Sequence, residues 1–223
     1  MRGERCEVGG ARLEVRGERF EVRGARCEVG VGGIFLRIIG GRARGRTLKS
    51  LGGLNTRPTS DKVKEAIFNV LSVKLQAAQV LDLFAGSGAL GLEALSRGAD
   101  FAVLVEKSRQ ACEIIQANAA LTGLTSQVKL YNRDALQVLK SLSGEKFDLV
   151  FVDPPYRQGL ALISLAMLGE GNYLGPNGVI IVETSREEQI PVEIANLSLR
   201  KRARYGDTEV WYYQLTETGG REF

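Results

Sequence analysis

The sequence contains no histidine. That absence excludes Ser-His-Asp and Cys-His catalysis, imidazole acid–base chemistry and histidine-based metal sites. Cysteine is nearly as scarce. Cys6, Cys27 and Cys112 are the three present, and their separations fit no metal-ligand spacing, so no metal is expected. An odd count without a secretory signal suggests reduced thiols. No apolar run approaches the roughly 20 residues needed to span a bilayer. The amino-terminal region lacks the apolar stretch of a signal peptide, and its glutamates argue against a transit peptide. A cytoplasmic location is therefore expected. The 30 basic and 26 acidic residues leave a charge of +4, so the placement of charge matters more than its sum. Chemistry here must run on carboxylates, backbone groups or a cofactor.

Residues 2–29 are four tandem heptads: RGERCEV, GGARLEV, RGERFEV and RGARCEV. They do not make a coiled coil, because apolar residues recur at spacings of two and five instead of three and four. Their seven Arg and six Glu nearly cancel. The segment reads as a low-complexity extension over residues 1–35, disordered and without a core of its own; an RNA-tethering tail is the alternative. Repeated DNA upstream of a true start at Leu36 is one origin for such a repeat. The remaining chain divides into a basic hairpin and linker (36–58), a catalytic domain (59–216) and a tail (217–223).

From residue 79 onward, apolar runs alternate with helical periodicity. Strands are expected at 79–85, 101–106, 127–132, 147–152 and 178–184, with helices near 89–97, 108–122, 134–141 and 158–168. That alternation means an α/β protein with a parallel, doubly wound sheet and right-handed crossovers. Residues 197–206 and 208–215 read as an antiparallel hairpin turning at Gly206-Asp207. Ahead of the sheet, residues 36–50 look like a small β-hairpin. A helix over 60–73 follows Pro58, with Thr59 or Ser60 as its cap.

The stretch LDLFAGSGALG follows the first strand and leads into a helix. Gly86, Gly88 and Gly91 spell G-x-G-x-x-G, so a dinucleotide enzyme must be considered. Asp82 shifts the balance. An anion four residues before Gly86 gains nothing from a pyrophosphate, but it would gain from a cation such as the sulfonium and ammonium of S-adenosylmethionine. The turn residues Phe84, Ala85, Gly86, Ser87 and Gly88 would meet that cofactor. Glu106, with Lys107 beside it, suits ribose hydroxyls, since a carboxylate accepts both. Asp134, with Ala135, is placed for an adenine amine. Each acid could instead simply cap the helix that follows it. Three acids at the carboxyl ends of three consecutive strands lie where open α/β sheets bind ligands.

In FDLVFVDPPY a strand with five apolar residues out of six ends in Asp153, Pro154, Pro155 and Tyr156. Two prolines cannot continue a strand, because each lacks an N–H and has a fixed φ. The break turns the Pro154 carbonyl outward beside the Asp153 carboxylate. Two adjacent acceptors suit an exocyclic amine on a nucleobase or an amide, and Tyr156 offers a ring on which a base stacks.

DLFAGSG, VEK and DPPY resemble the class I, S-adenosylmethionine-dependent amino-methyltransferases with a (D/N)PP(Y/F) motif. Adding RIIGGRARGRTL and RPTSDKVKEAIFNVL, the chain is similar to bacterial small-subunit ribosomal RNA guanine-N2 methyltransferases of the RsmD type over about residues 36–215. The resemblance implies a Rossmann-like sheet of seven strands, mostly parallel, with an antiparallel last strand. It implies methylation of one guanine N2 in 16S rRNA of an assembled or assembling small subunit, by a monomer that needs no membrane. It also suggests that Arg57-Pro58-Thr59 closes over the cofactor.

Residues 34–64 carry eight basic groups against one acid, Asp61. Arg37, Arg42, Arg44, Arg46 and Arg57 are therefore expected to contact RNA phosphates. A second basic cluster, Arg200, Lys201, Arg202 and Arg204, suits either RNA or the blocking of a sheet edge. A DNA adenine-N6 or cytosine-N4 amino-methyltransferase is the nearest rival, short of room for target recognition. Cytosine-C5 chemistry needs a cysteine nucleophile, and Cys112 falls within a helix.

Overall fold

The structure, a computed structural model, describes residues 12–15, 18–21, 36–50, 61–156 and 158–216. The chain forms two compact units, residues 1–33 and 34–223. In the first, β1 (Arg12–Val15) and β2 (Glu18–Glu21) pair antiparallel, from Arg12 opposite Glu21 to Val15 opposite Glu18. The spacing of two that fails as a coiled coil is the period of a strand. The remaining heptad residues lie outside the described residues, as do Arg57, Pro58, Thr59, Ser60, Arg157 and the tail.

In the second unit, β3 (Leu36–Arg37) and β4 (Thr47–Leu48) form the expected hairpin. Then follow α1 (Asp61–Val70), β5 (Gln79–Asp82), α2 (Ala89–Ser96), β6 (Phe101–Val105), α3 (Arg109–Thr122), β7 (Val128–Tyr131), α4 (Ala135–Ser141), β8 (Phe147–Val152), α5 (Leu160–Glu170) and β9 (Leu174–Ser185). The chain closes with β10 (Glu193–Ile194), β11 (Leu197–Tyr205) and β12 (Thr208–Leu215). Strand order in the main sheet is β10-β11-β12-β9-β8-β5-β6-β7. β9, β8, β5, β6 and β7 are parallel neighbours, and β12 runs antiparallel between β9 and β11.

Two details differ from the sequence expectation. The two-residue β10 adds an eighth strand at the edge, too short to leave a pattern. β9 starts at Leu174, four residues early, and runs through Pro176. The ladder tolerates this because its register shifts there: Phe147 faces Leu174 but Leu149 faces Val179. A proline without an N–H is accommodated at such an irregularity.

Side-chain alternation divides the core into two layers. Val80, Leu104, Leu149, Phe151, Ile181 and Tyr212 pack with α1, α2 and α3. Leu81, Val103, Val150, Val152, Ile180 and Trp211 pack with α4 and α5 on the other face. Apart from the exposed Asp148 near its start, β8 is buried on both sides, which explains the apolar run Leu149–Val152. From β5 the chain goes to β6 on one side, while β8 lies on the other. The strand order reverses at β5, and the carboxyl ends of β5 and β8 flank the crevice this opens. Among the described residues no helix is long and apolar enough to cross a membrane.

Candidate cofactor and base site

β5 delivers Asp82 to this crevice, 1% exposed. Its Oδ2 accepts the Gly91 N–H at 3.3 Å, while Oδ1 makes no hydrogen bond of ordinary geometry among the described residues. Burial, then the neighbouring Asp153 charge, pushes its carboxyl up to about 7, against the pull of the Gly91 and Phe84 amides. Glycine at position 91 lets the helix sit this close without displacing the Leu104 side chain. A Cβ there would lie 2.3 Å from Leu104 Cδ2. Gly86 and Gly88 take φ of 56° and 80°, and Gly88 caps α2 in the left-handed region.

Glu106 sits just past β6. Its Oε2 accepts the Gly86 N–H at 2.9 Å and its Oε1 the Ser108 N–H at 2.7 Å. The carboxylate therefore ties the glycine turn to the start of α3, where Ser108 caps with its own Oγ. Asp134 caps α4: its Oδ1 accepts from Leu136 and Gln137 at 3.1 and 3.3 Å. Capping and ligand binding are compatible here, because each carboxylate oxygen has two lone pairs. Lys107 is exposed, and Ala85 and Ala135 are buried.

At the end of β8, Asp153 is half-buried and Pro154 buried, with Pro155 and Tyr156 exposed. The Tyr156 hydroxyl donates to Glu183 Oε1 on β9 at 3.4 Å. Burial and the Glu183 and Asp153 charges raise the Tyr156 pKa well above its ordinary value. The structure thus brings Asp82, Glu106, Asp134 and the Asp153–Tyr156 corner to the carboxyl edge of one sheet.

The basic hairpin is held by groups the sequence reading missed. Glu93, fully buried, accepts the Ile39 and Gly40 amides at 2.8 and 2.7 Å and the Arg97 Nε at 2.6 Å. Ser96 Oγ accepts the Ala43 amide and donates to the Gly40 carbonyl. Asn118, also fully buried, donates to the carbonyls of Lys49 and Ser87, both at 2.9 Å, and accepts the Lys49 amide. One side chain so joins the end of the hairpin to the glycine turn. The turn around Arg42 lies at the far end of α2, roughly 12 Å along an eight-residue helix from the crevice. Arg44 and Arg46 are exposed; Arg37 pairs with Asp61 at 2.8 Å, and Arg42 bonds Gln127. Arg57 lies outside the described residues. Among those residues, no group of three or more acids or cysteines could hold a metal ion.

The family model described as Conserved hypothetical protein 95 matches residues 36–214. Ribosomal RNA small subunit methyltransferase D of Escherichia coli is 39% identical over 184 residues, covering 82% of this chain and 92% of that protein. The Haemophilus influenzae protein of the same name is 37% identical over 181 residues, covering 80% and 93%. Among solved structures, the Escherichia coli protein yhhF aligns with a TM-score of 0.72 at 37% identity, over 81% of this chain and 98% of that one.

Proposed function

We propose, for a chain that belongs to the Conserved hypothetical protein 95 family, the RsmD family, methyl transfer from S-adenosylmethionine to the N2 amine of one guanine in small-subunit ribosomal RNA. The observation that carries this reading is Asp82: a buried acid whose Oδ1 makes no hydrogen bond of ordinary geometry among the described residues, beside a glycine turn and one strand away from the DPPY corner. Such an acid fits a cationic cofactor and would repel a pyrophosphate. A Cβ on Gly86 would meet nothing within 4 Å, so the turn has space beside it for a ligand.

The bound cofactor supplies an activated methyl group on a sulfonium. The chain does the rest. Asp82 offsets positive charge, Glu106 accepts from ribose hydroxyls, and Asp134 accepts from the adenine amine through the oxygen not used in capping. Phe84, Ala85, Ser87, Lys107 and Ala135 line the same cleft. Asp153 Oδ and the Pro154 carbonyl each accept one hydrogen of the guanine N2, turning its lone pair toward the methyl carbon. Tyr156 stacks on the ring. Transfer leaves an acidic N–H, which loses its proton without a strong base. Arg44 and Arg46 hold RNA phosphates, with Lys49 nearer the crevice. The partner is the small subunit, complete or in assembly, and the protein acts as a monomer.

The test is incubation with labelled S-adenosylmethionine and small subunits lacking the modification, followed by nucleoside digestion. Label in N2-methylguanosine is the expected result. Label in another nucleoside, or none in RNA, refutes the reading.

A further inference from the structure

The transfer as described leaves Glu183 without a task, although this acid stands at the edge of the base site. It is 5% exposed, two residues before the end of β9, with the Tyr156 hydroxyl among its partners at a long 3.4 Å. Tyr156 lies three residues after Asp153 in the DPPY corner, so its contact with Glu183 sets that acid beside the corner.

The three nucleobase amines differ in the ring nitrogen beside them. Next to N2 of guanine is N1–H, a donor. Next to N6 of adenine and N4 of cytosine stands a bare nitrogen, an acceptor. A guanine edge therefore presents three donors in a row, and Asp153 with Pro154 satisfies only two. A second carboxylate at that edge completes the set for guanine. Against adenine or cytosine it faces a lone pair, and the mismatch leaves both groups desolvated and unpaired.

We infer that Glu183 is the specificity-determining residue of this site, accepting the N1–H of the target guanine where the Tyr156 hydroxyl stands in the free protein. This inference rests on the guanine-N2 reading above. It gives that reading a reason to exclude the other amine-bearing bases, which the DPPY corner alone does not.

The experiment uses the full chain and small subunits reconstituted with either guanine or 2-aminopurine at the mapped target. 2-Aminopurine keeps the 2-amine but replaces N1–H with a lone pair. Single-turnover methylation by the wild-type protein is expected to be at least about 100-fold slower on 2-aminopurine, as for a buried polar site whose partner is missing. Glu183→Gln, whose amide can donate to that lone pair, is expected to lose guanine activity and to bring the two rates within about tenfold. Its cofactor affinity should stay within about threefold of wild type, because Glu183 lies outside the cofactor cleft. A wild-type preference below tenfold overturns the inference, even if the variant does not fold. So does a Glu183→Gln preference equal to the wild type's. Absence of any N2-methylguanosine with wild-type protein overturns the parent reading, and this one with it. Guanine methylation accompanied by equal turnover of 2-aminopurine overturns the role of Glu183 alone.

Discussion

Asp82→Asn separates a titration from a hydrogen bond. Asparagine keeps the shape and can still accept the Gly91 N–H, but it cannot ionise. In the wild type, burial and then the Asp153 charge raise the carboxyl from 3.8 to about 7. The folded protein therefore holds this proton more tightly than the unfolded chain. The stability this group contributes is full below about pH 4, falls as pH rises toward 7, and is lost above it. Three pKa units correspond to roughly 4 kcal/mol. Asp82→Asn should consequently raise the melting temperature of the free protein by several degrees at pH 8 and by little at pH 4. A cationic cofactor reverses the preference, because it stabilises the ionised carboxylate and lowers its pKa. Binding at pH 6 then releases close to one proton, and wild-type affinity falls by about tenfold between pH 8 and pH 6. Titration calorimetry in buffers of different ionisation enthalpy measures that release. The cofactor's own α-amino group titrates near 8, so the variant is the control: it should bind more weakly, with the Asp82 part of the proton release gone. Identical pH dependence in the two proteins would refute the assignment of Asp82 to the cofactor's positive charge.

Asp153→Ala should lower turnover by about 10²–10³, as for loss of a preorganised polar contact, with cofactor affinity changing far less; near-normal single-turnover rates would remove Asp153 from the amine site. Glu106→Ala should weaken cofactor binding by roughly 1–3 kcal/mol, part of it from freeing the Gly86 and Ser108 amides; an unchanged dissociation constant contradicts the ribose role. Neutralising Arg42, Arg44 and Arg46 together should reduce the log–log salt slope of RNA binding by about 2–3, and a wild-type slope would take the hairpin out of the interface. Gly91→Ala should cost about 1–3 kcal/mol in denaturant unfolding, because the new Cβ falls 2.3 Å from a fully buried Leu104; full stability would show that α2 is not pressed against β6.

The fold was legible because its signals are local. Five apolar runs separated by helical periods, and glycines at the first turn, specify a parallel sheet whatever the rest of the chain does. Asp82, Glu106, Asp134 and Asp153 were legible for the same reason: each ends a strand or follows its end within three residues, and the topology carries strand ends to one edge. Glu93 and Asn118 were not. In sequence each is an ordinary polar residue on a helix, and each acquires its meaning from backbone groups 31 to 69 residues away. Arg37 and Arg42 looked equivalent to Arg44 and Arg46, yet their partners, Asp61 and Gln127, come from elsewhere in the fold. Glu183 did leave a trace. An acid closing the apolar run GVIIV either ends the strand or enters the core, and here it does the second at 5% exposure.

The absence of histidine acquires a sharper meaning once the edge of the sheet is assembled. On the proposed reading, the groups that hold the amine accept hydrogen bonds, and the Tyr156 hydroxyl has its acidity suppressed by burial and then by the Glu183 and Asp153 charges. An imidazole would add a group able to donate as well as accept at neutral pH, and so would blur the difference between N1–H and a bare ring nitrogen. It is also unnecessary, since the methylated amine becomes acidic only after the bond to carbon has formed and can release its proton to a carboxylate or to water. A site built from carboxylates and carbonyls thus supplies orientation and base selection from the same atoms. On the same proposed reading Asp82 stands apart within it: burial and the Asp153 charge raise its pKa, and its pairing with the cofactor's positive charge would couple binding to pH through one buried carboxyl.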